Sequence, residues 1–120
     1  MPSTTTYRRG QVVVVTVPFT GQGGAKLRPA VIISAEKLHR RLRDLVVCPI
    51  SSQSRYFEKP GPGDRPLSKW QSAGLRFPST ARVSNILAVD KSLVRRILGR
   101  LSKEDLRSLD SSLRDALGLE

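Results

Sequence analysis

At 120 residues, with 38% hydrophobic and 26% charged side chains, the chain fits one globular domain that can bury a core without staples. Twenty-one Lys and Arg against ten Asp and Glu give a formal net charge of +11, which points to a polyanionic partner: nucleic acid, an acidic protein or an anionic membrane surface. One cysteine excludes a disulfide within the chain, and no apolar run approaches the ~20 residues of a membrane-spanning helix.

Residues 1–9 read as a loose, polar arm without the character of a secretory signal, so a cytoplasmic location is expected. Residues 11–17 hold four consecutive valines, Val12 to Val15. Side chains branched at Cβ suit a pleated surface, and the unbroken apolar run predicts a strand buried on both faces. Pro18 is expected to end its pairing and to open a loop over residues 19–26 that contains Gly21, Gly23 and Gly24. The second strand is predicted over residues 28–34, with Pro29 near its start. Ser34 is placed as the cap of a short helix over residues 35–41. His39, on that helix among basic neighbours, is read as a solvated surface residue and not as a catalytic base.

The third strand is predicted over residues 45–50. It contains Cys48, which reads as a small buried hydrophobe and not a nucleophile. Residues 51–66 carry three prolines and two glycines and are expected to form a mobile loop. Arg55, Lys59 and Arg65 would make that loop a basic flap. A short edge strand is predicted over residues 66–70. The alternation of Ala81 and Val83 with Arg82 and Ser84 predicts a half-buried strand over residues 80–85, continued by 86–89. Residues 90–93 suggest a tight turn or single helical turn, and 95–101 the last strand. Ser102 to Asp105 resembles a capping box. Leu106, Leu109, Leu113 and Leu117 then form an apolar stripe on a helix over residues 103–118. Glu104, Asp105, Asp110 and Asp115 on that helix read as solvated charges. A run of short strands with one terminal helix implies a mainly β (α+β) fold closed or partly closed into a barrel, because closure removes unpaired edges.

The chemistry that the residues can support is restricted. There is no Walker lysine loop, HExxH, CxxC or Gly-x-Ser-x-Gly motif, and one His with one Cys supplies metal ligands poorly. What remains is Arg, Lys, Ser and Asn at strand ends. That set suits cleavage of RNA, whose 2′-hydroxyl is its own nucleophile. The protein then has to place the phosphate and stabilise charge on its oxygens, for which Arg offers forked donors.

Three stretches, in order and spacing, resemble the MazF/PemK (Kid-like) toxins of type II toxin–antitoxin systems. The first is Arg9-Gly10-Gln11-Val12-Val13, followed by a Gly-rich loop and Lys26-Leu27-Arg28-Pro29-Ala30-Val31-Ile32-Ile33-Ser34. The second is Val46-Val47-Cys48-Pro49-Ile50-Ser51-Ser52. The third runs from Ala73-Gly74-Leu75 through Pro78-Ser79, Arg82-Val83-Ser84-Asn85 and Val89-Asp90-Lys91-Ser92 to Leu98-Gly99-Arg100-Leu101-Ser102. The resemblance implies one toxin domain over residues 1–120, an SH3-like barrel of the CcdB/Kid/PemK type with a C-terminal helix, and a homodimer. It implies a metal- and cofactor-independent endoribonuclease that cleaves single-stranded RNA and is neutralised by an acidic antitoxin. Arg28 carries over as the residue on the scissile phosphate, Ser51 as the hydroxyl after the third strand, and Arg82 as a second functional Arg. Lys26, Pro29, Ser52, Gln53, Arg55, Ser84 and Asn85 are the expected RNA contacts. Two positions depart from Kid-like members: Ser84 stands where those have an Asp, and the first loop lacks their His. The competing expectations are a non-catalytic gyrase poison of the CcdB type and a basic SH3-like RNA-binding module.

Overall fold

The computed structural model describes residues 6–18 and 24–120. Strand β1 covers Gln11–Pro18 and β2 covers Ala25–Ile32; the two pair antiparallel from Val12↔Val31 to Pro18↔Ala25. Pro18 is thus still in register, and β2 begins three residues earlier than the sequence suggests. The greater part of the expected glycine loop, residues 19–23, lies outside the described residues, as do residues 1–5 of the expected arm. Helix α1 (Glu36–Arg41) leads to β3 (Asp44–Ser51), which pairs with β2. A five-residue helix, α2 (Ser54–Glu58), precedes β4 (Asp64–Pro66) and β5 (Thr80–Arg82). A 3-10 turn over Val83–Asn85 separates β5 from β6 (Leu87–Asp90). A second 3-10 turn, Lys91–Leu93, leads into β7 (Val94–Arg100) and helix α3 (Lys103–Leu117). The hydrogen-bonded path runs β4-β5-β3-β2-β1-β7, with β6 on β3, so the described strands curl into an open, barrel-like sheet.

The valine run is unbroken because both faces of the central strands are buried. Adjacent residues on a strand point to opposite faces. Val12, Val31, Cys48 and Ile50 face one core, which Leu109 and Leu113 of α3 close. Val13, Val15, Ala30, Ile32, Leu45 and Val47 face a second core, completed by Val89. Each fully buried aliphatic side chain of this kind contributes roughly 1.5–3 kcal/mol. The stripe on α3 is therefore core, although Leu117 at its end is exposed. The helix starts where the sequence places it: the Ser102 hydroxyl accepts from the Asp105 N–H, and Gly118 stops it in the left-handed region at φ 69°.

Several expectations are corrected. His39 is not solvated; it is 4% exposed. The Ser34 hydroxyl accepts from the Val46 N–H at 3.0 Å and shares a 2.5 Å hydrogen bond with His39 Nε2. On the other side of the ring Nδ1–H donates to the Tyr7 carbonyl, which can only accept. Ser34 spends its hydroxyl there and does not cap α1, whose N-cap is Ala35. The described end of the N-terminal arm is held: Tyr7 packs on the second core, and Arg9 donates to the Ile33 carbonyl and pairs with Asp110. Asp110 is therefore an ion-pair partner and not a bare surface charge. Residues 51–66 are not one loop, because α2 and β4 form within them. The expected edge strand at 66–70 sits two residues earlier, and 68–74 is a series of turns. The strand predicted over 80–85 stops at Arg82, since Val83 turns its N–H to the Gly63 carbonyl.

Asp105 is the most consequential misreading. It is 3% exposed and accepts from the Ser68 N–H, the Ser68 hydroxyl and the Lys69 N–H, each at 2.9 Å. It ties the 68–74 turns to the helix. Their other edge rests on β7, where a Cβ on Gly74 would meet the Leu98 carbonyl oxygen at 2.3 Å and one on Gly99 the Ala73 oxygen at 2.7 Å. Two glycines thus permit backbone-on-backbone contact, and Gly74 also holds φ +85°. Asp105→Ala should cost about 2–3 kcal/mol, the scale of charge-assisted hydrogen bonds lost with buried donors left unpaired. Denaturant unfolding that moves by less than about 0.5 kcal/mol would show that the carboxylate is not the anchor.

Candidate active site

The groove begins where the two-sided core ends. A groove of about 970 Å³ opens beside the ends of β2, β3 and β5, lined among others by Arg28, Pro29, Ser51, Arg82 and Asn85. Four guanidinium groups line it, those of Arg28, Arg76, Arg82 and Arg96, and no carboxylate does among the described residues. Arg28, on β2 opposite Val15 of β1, is exposed, and its guanidinium makes no hydrogen bond or ion pair with a described residue. The Ser51 hydroxyl accepts from the Gln53 N–H at 3.2 Å, an arrangement that leaves its own proton available to a ligand.

Arg82 is held differently. Its Nε donates to Asp64 at 2.9 Å, with the Asp64 side chain 4% exposed. Its guanidinium carbon lies 3.7 Å from the centroid of the Tyr56 ring, a cation–π distance. Asp64 is fixed in turn by the Gly61 N–H at 3.0 Å. Arg55 reaches over the same ring and donates to the Tyr56 hydroxyl at 2.7 Å. Residues 51–66 therefore form a brace for Arg82 and not a flap. Cys48, behind the groove, is buried, and burial pushes its thiol up to about 12. It stays protonated and unreactive. Among the described residues no three His, Cys, Asp or Glu side chains are grouped as metal ligands would be. No helix among them is long and apolar enough to cross a membrane.

The sequence profile of the PemK-like, MazF-like toxins of type II toxin–antitoxin systems matches residues 8–117. The chain belongs to that family. Solved structures agree on the fold. An endoribonuclease from a mycobacterial species has a TM-score of 0.75 at 20% identity, over 96% of this chain and 94% of that one. A mycobacterial endoribonuclease in complex with its cognate antitoxin has a TM-score of 0.72 at 22% identity, over 96% of both chains. The MazE–MazF complex of Deinococcus radiodurans has a TM-score of 0.75 at 19% identity, over 97% and 100%. Comparison with curated protein sequences gives no significant match.

The toxin's groove brings together most of the residues singled out from the sequence. Arg28, Pro29, Ser51, Ser52, Gln53, Arg82 and Asn85 all line it. Lys26, Arg55 and Ser84 do not; Arg55 serves Tyr56, and Ser84 backs onto the Gly63 turn. The lining residues that the sequence reading missed include the aromatic Tyr56 and Phe77 and the basic Arg76 and Arg96. The one available signal was the aromatic-plus-basic pairing in Arg55-Tyr56 and Arg76-Phe77. Arg96 gives none, being one of several basic residues along β7.

Because the Arg82–Asp64 pair is largely shielded from water, its two members should be coupled. In a double-mutant cycle of Asp64→Asn with Arg82→Met, we expect a coupling of roughly 1–2 kcal/mol in unfolding free energy. A coupling near zero would mean that the pair is only an exposed contact.

Proposed function

We propose that this toxin is an endoribonuclease that cuts single-stranded RNA in the groove between β2, β3 and β5. The observation that carries the reading is the meeting of Arg28, Ser51 and Arg82 in one groove whose lining, among the described residues, holds no carboxylate; the Asp64 that braces Arg82 lies outside that lining. Such a surface attracts phosphate and does not repel it. In the reaction, the 2′-oxygen bonds to phosphorus, the bond from phosphorus to the 5′-oxygen breaks, and a 2′,3′-cyclic phosphate results. The 2′-hydroxyl loses its proton and the 5′-oxygen takes one up. Arg28 donates to the phosphoryl oxygens as charge develops on them, Ser51 gives one further hydrogen bond, and Arg82, braced by Asp64 and Tyr56, fixes the strand. Pro29, Ser52, Gln53 and Asn85 complete the groove walls, and Lys26 and Arg55 add charge at its margin.

Ser84 cannot stand in for a carboxylate: it is a hydroxyl, and it lies outside the groove. The carboxylate near Arg82 is Asp64, which is occupied with Arg82 and Gly61. The chemistry rests on the donors. The setting is a cytoplasmic homodimer, each copy a single toxin domain, restrained by an acidic antitoxin whose carboxylates would compete for the same arginines.

Arg28→Lys keeps the charge and loses the fork, so it should slow single-turnover cleavage more than it weakens RNA binding, by roughly ten- to a thousandfold. Ser51→Ala should lose less. RNA affinity should also fall steeply between about 50 and 200 mM salt as counterions are released. If both variants cleave at the wild-type rate while still folded, the groove binds RNA without catalysing its cleavage.

A further inference from the structure

A second hollow adjoins the groove. It has a volume of about 530 Å³ and is lined by Ser52, Ser54, Phe57, Glu58, Phe77 and Pro78. Ser52 and Phe77 line both spaces and mark the boundary where they adjoin. Their chemistry is opposite. The groove holds four arginines and no acid; the hollow holds one acid, Glu58, and no Lys or Arg among the described residues. A strand lying across both would leave its phosphates with the arginines and turn a base toward the aromatic rings.

Helix α2 is built for this division. Ser54, Phe57 and Glu58 stand at i, i+3 and i+4 and share one face, toward the hollow. Arg55 and Tyr56 turn to the brace of Arg82. Phe77 is 61% exposed, a large apolar side chain left in water beside a basic groove. Flat rings in such a place stack on bases.

Glu58 is the telling residue. Like Glu36, Asp44, Asp115 and Glu120 it forms no ion pair with a described residue; unlike them it lines the hollow, beside Phe57 and Phe77. It stands at the C-terminal end of α2, where backbone carbonyls disfavour a negative charge. Beside an RNA groove it repels phosphate. A carboxylate in that place is matched to the N–H donors of a base. Among the bases, guanine presents N1–H and N2–H side by side, matching the two oxygens of one carboxylate as an arginine fork does. Uracil flanks its single N–H with two carbonyl oxygens. Adenine and cytosine set one amino group beside an acceptor nitrogen.

We infer that the hollow between α2 and Phe77-Pro78 is a nucleobase subsite selective for guanine, with Phe57 and Phe77 as its stacking walls and Glu58 as its specificity-determining residue. The inference rests on the reading of the groove as an RNA site, and its test is made by binding so that it does not depend on cleavage. The probes are 2′-O-methyl oligonucleotides of about eight nucleotides, uridine throughout except for one guanosine moved through each position in turn. Fluorescence anisotropy should find one position at which guanosine tightens binding about tenfold over uridine. Inosine there, which lacks the N2 amino group, should lose most of that gain. Glu58→Gln should bring the guanosine-to-uridine ratio to within about twofold, and Phe77→Ala should weaken binding about tenfold. Both side chains are exposed, and thermal melting checks that the variants fold.

Equal affinity for guanosine and uridine at every position, or a guanosine gain that survives Glu58→Gln, would overturn the inference. So would a Phe77→Ala variant that binds RNA normally and loses only antitoxin affinity, since the hollow would then take an antitoxin side chain. Guanosine-selective binding by a protein that cuts no RNA would support the subsite and defeat the catalytic reading instead.

Discussion

Strands β1 and β3 and the second half of β2 are buried on both faces, and the rest of the fold follows from that constraint. A strand covered on both sides needs two layers. Helix α3 and the 67–75 segment supply one, with Leu67, Ala73, Leu109 and Leu113 in the core. Strand β6 and the Tyr7 region supply the other, with Val89 at its centre. The same strands carry Arg28, in the exposed first half of β2, and Ser51, the last residue of β3, out of the packed region. A rigid interior thus delivers the groove's donors to fixed places, which a site working by preorganised hydrogen bonds requires.

The groove's other wall is assembled from polar contacts and depends on that frame. Asp105 ties Ser68 and Lys69 to α3, and Gly74 and Gly99 let the same segment touch β7. Arg76 and Phe77 follow directly after and are placed by these anchors. Across from them, Asp64 and Tyr56 hold Arg82. The carboxylate anchors Asp64 and Asp105 lie outside the groove lining, so stability and chemistry are separable there. The exception ties them together: Tyr56 both lines the groove and supports Arg82.

What was legible in the sequence was what is decided locally or by period. The valine run, the Ser102 cap, the leucine stripe and the single turn at residues 91–93 each depend on neighbours in the chain. The elements inside residues 51–66 were not legible, because their partners are remote: Asp64 with Arg82, Gly63 with Val83, Arg65 with Ser112. His39 and Asp105 misled for the same reason. A polar residue is buried when distant groups satisfy it, and nothing beside it in sequence says so. Arg28, Ser51 and Arg82 came from a family resemblance and not from periodicity. Their roles in the reaction remain the proposal that the groove's geometry supports.

The central claim is that arginine and hydroxyl donors alone let RNA's own 2′-hydroxyl break the strand. The direct test is end-group analysis of a single-stranded RNA cut by the purified toxin in EDTA. Fragments ending in a 2′,3′-cyclic phosphate or 3′-phosphate, with 5′-hydroxyls opposite, are the outcome this account expects. Fragments carrying 5′-phosphates, or cleavage only when Mg²⁺ is restored, would contradict it.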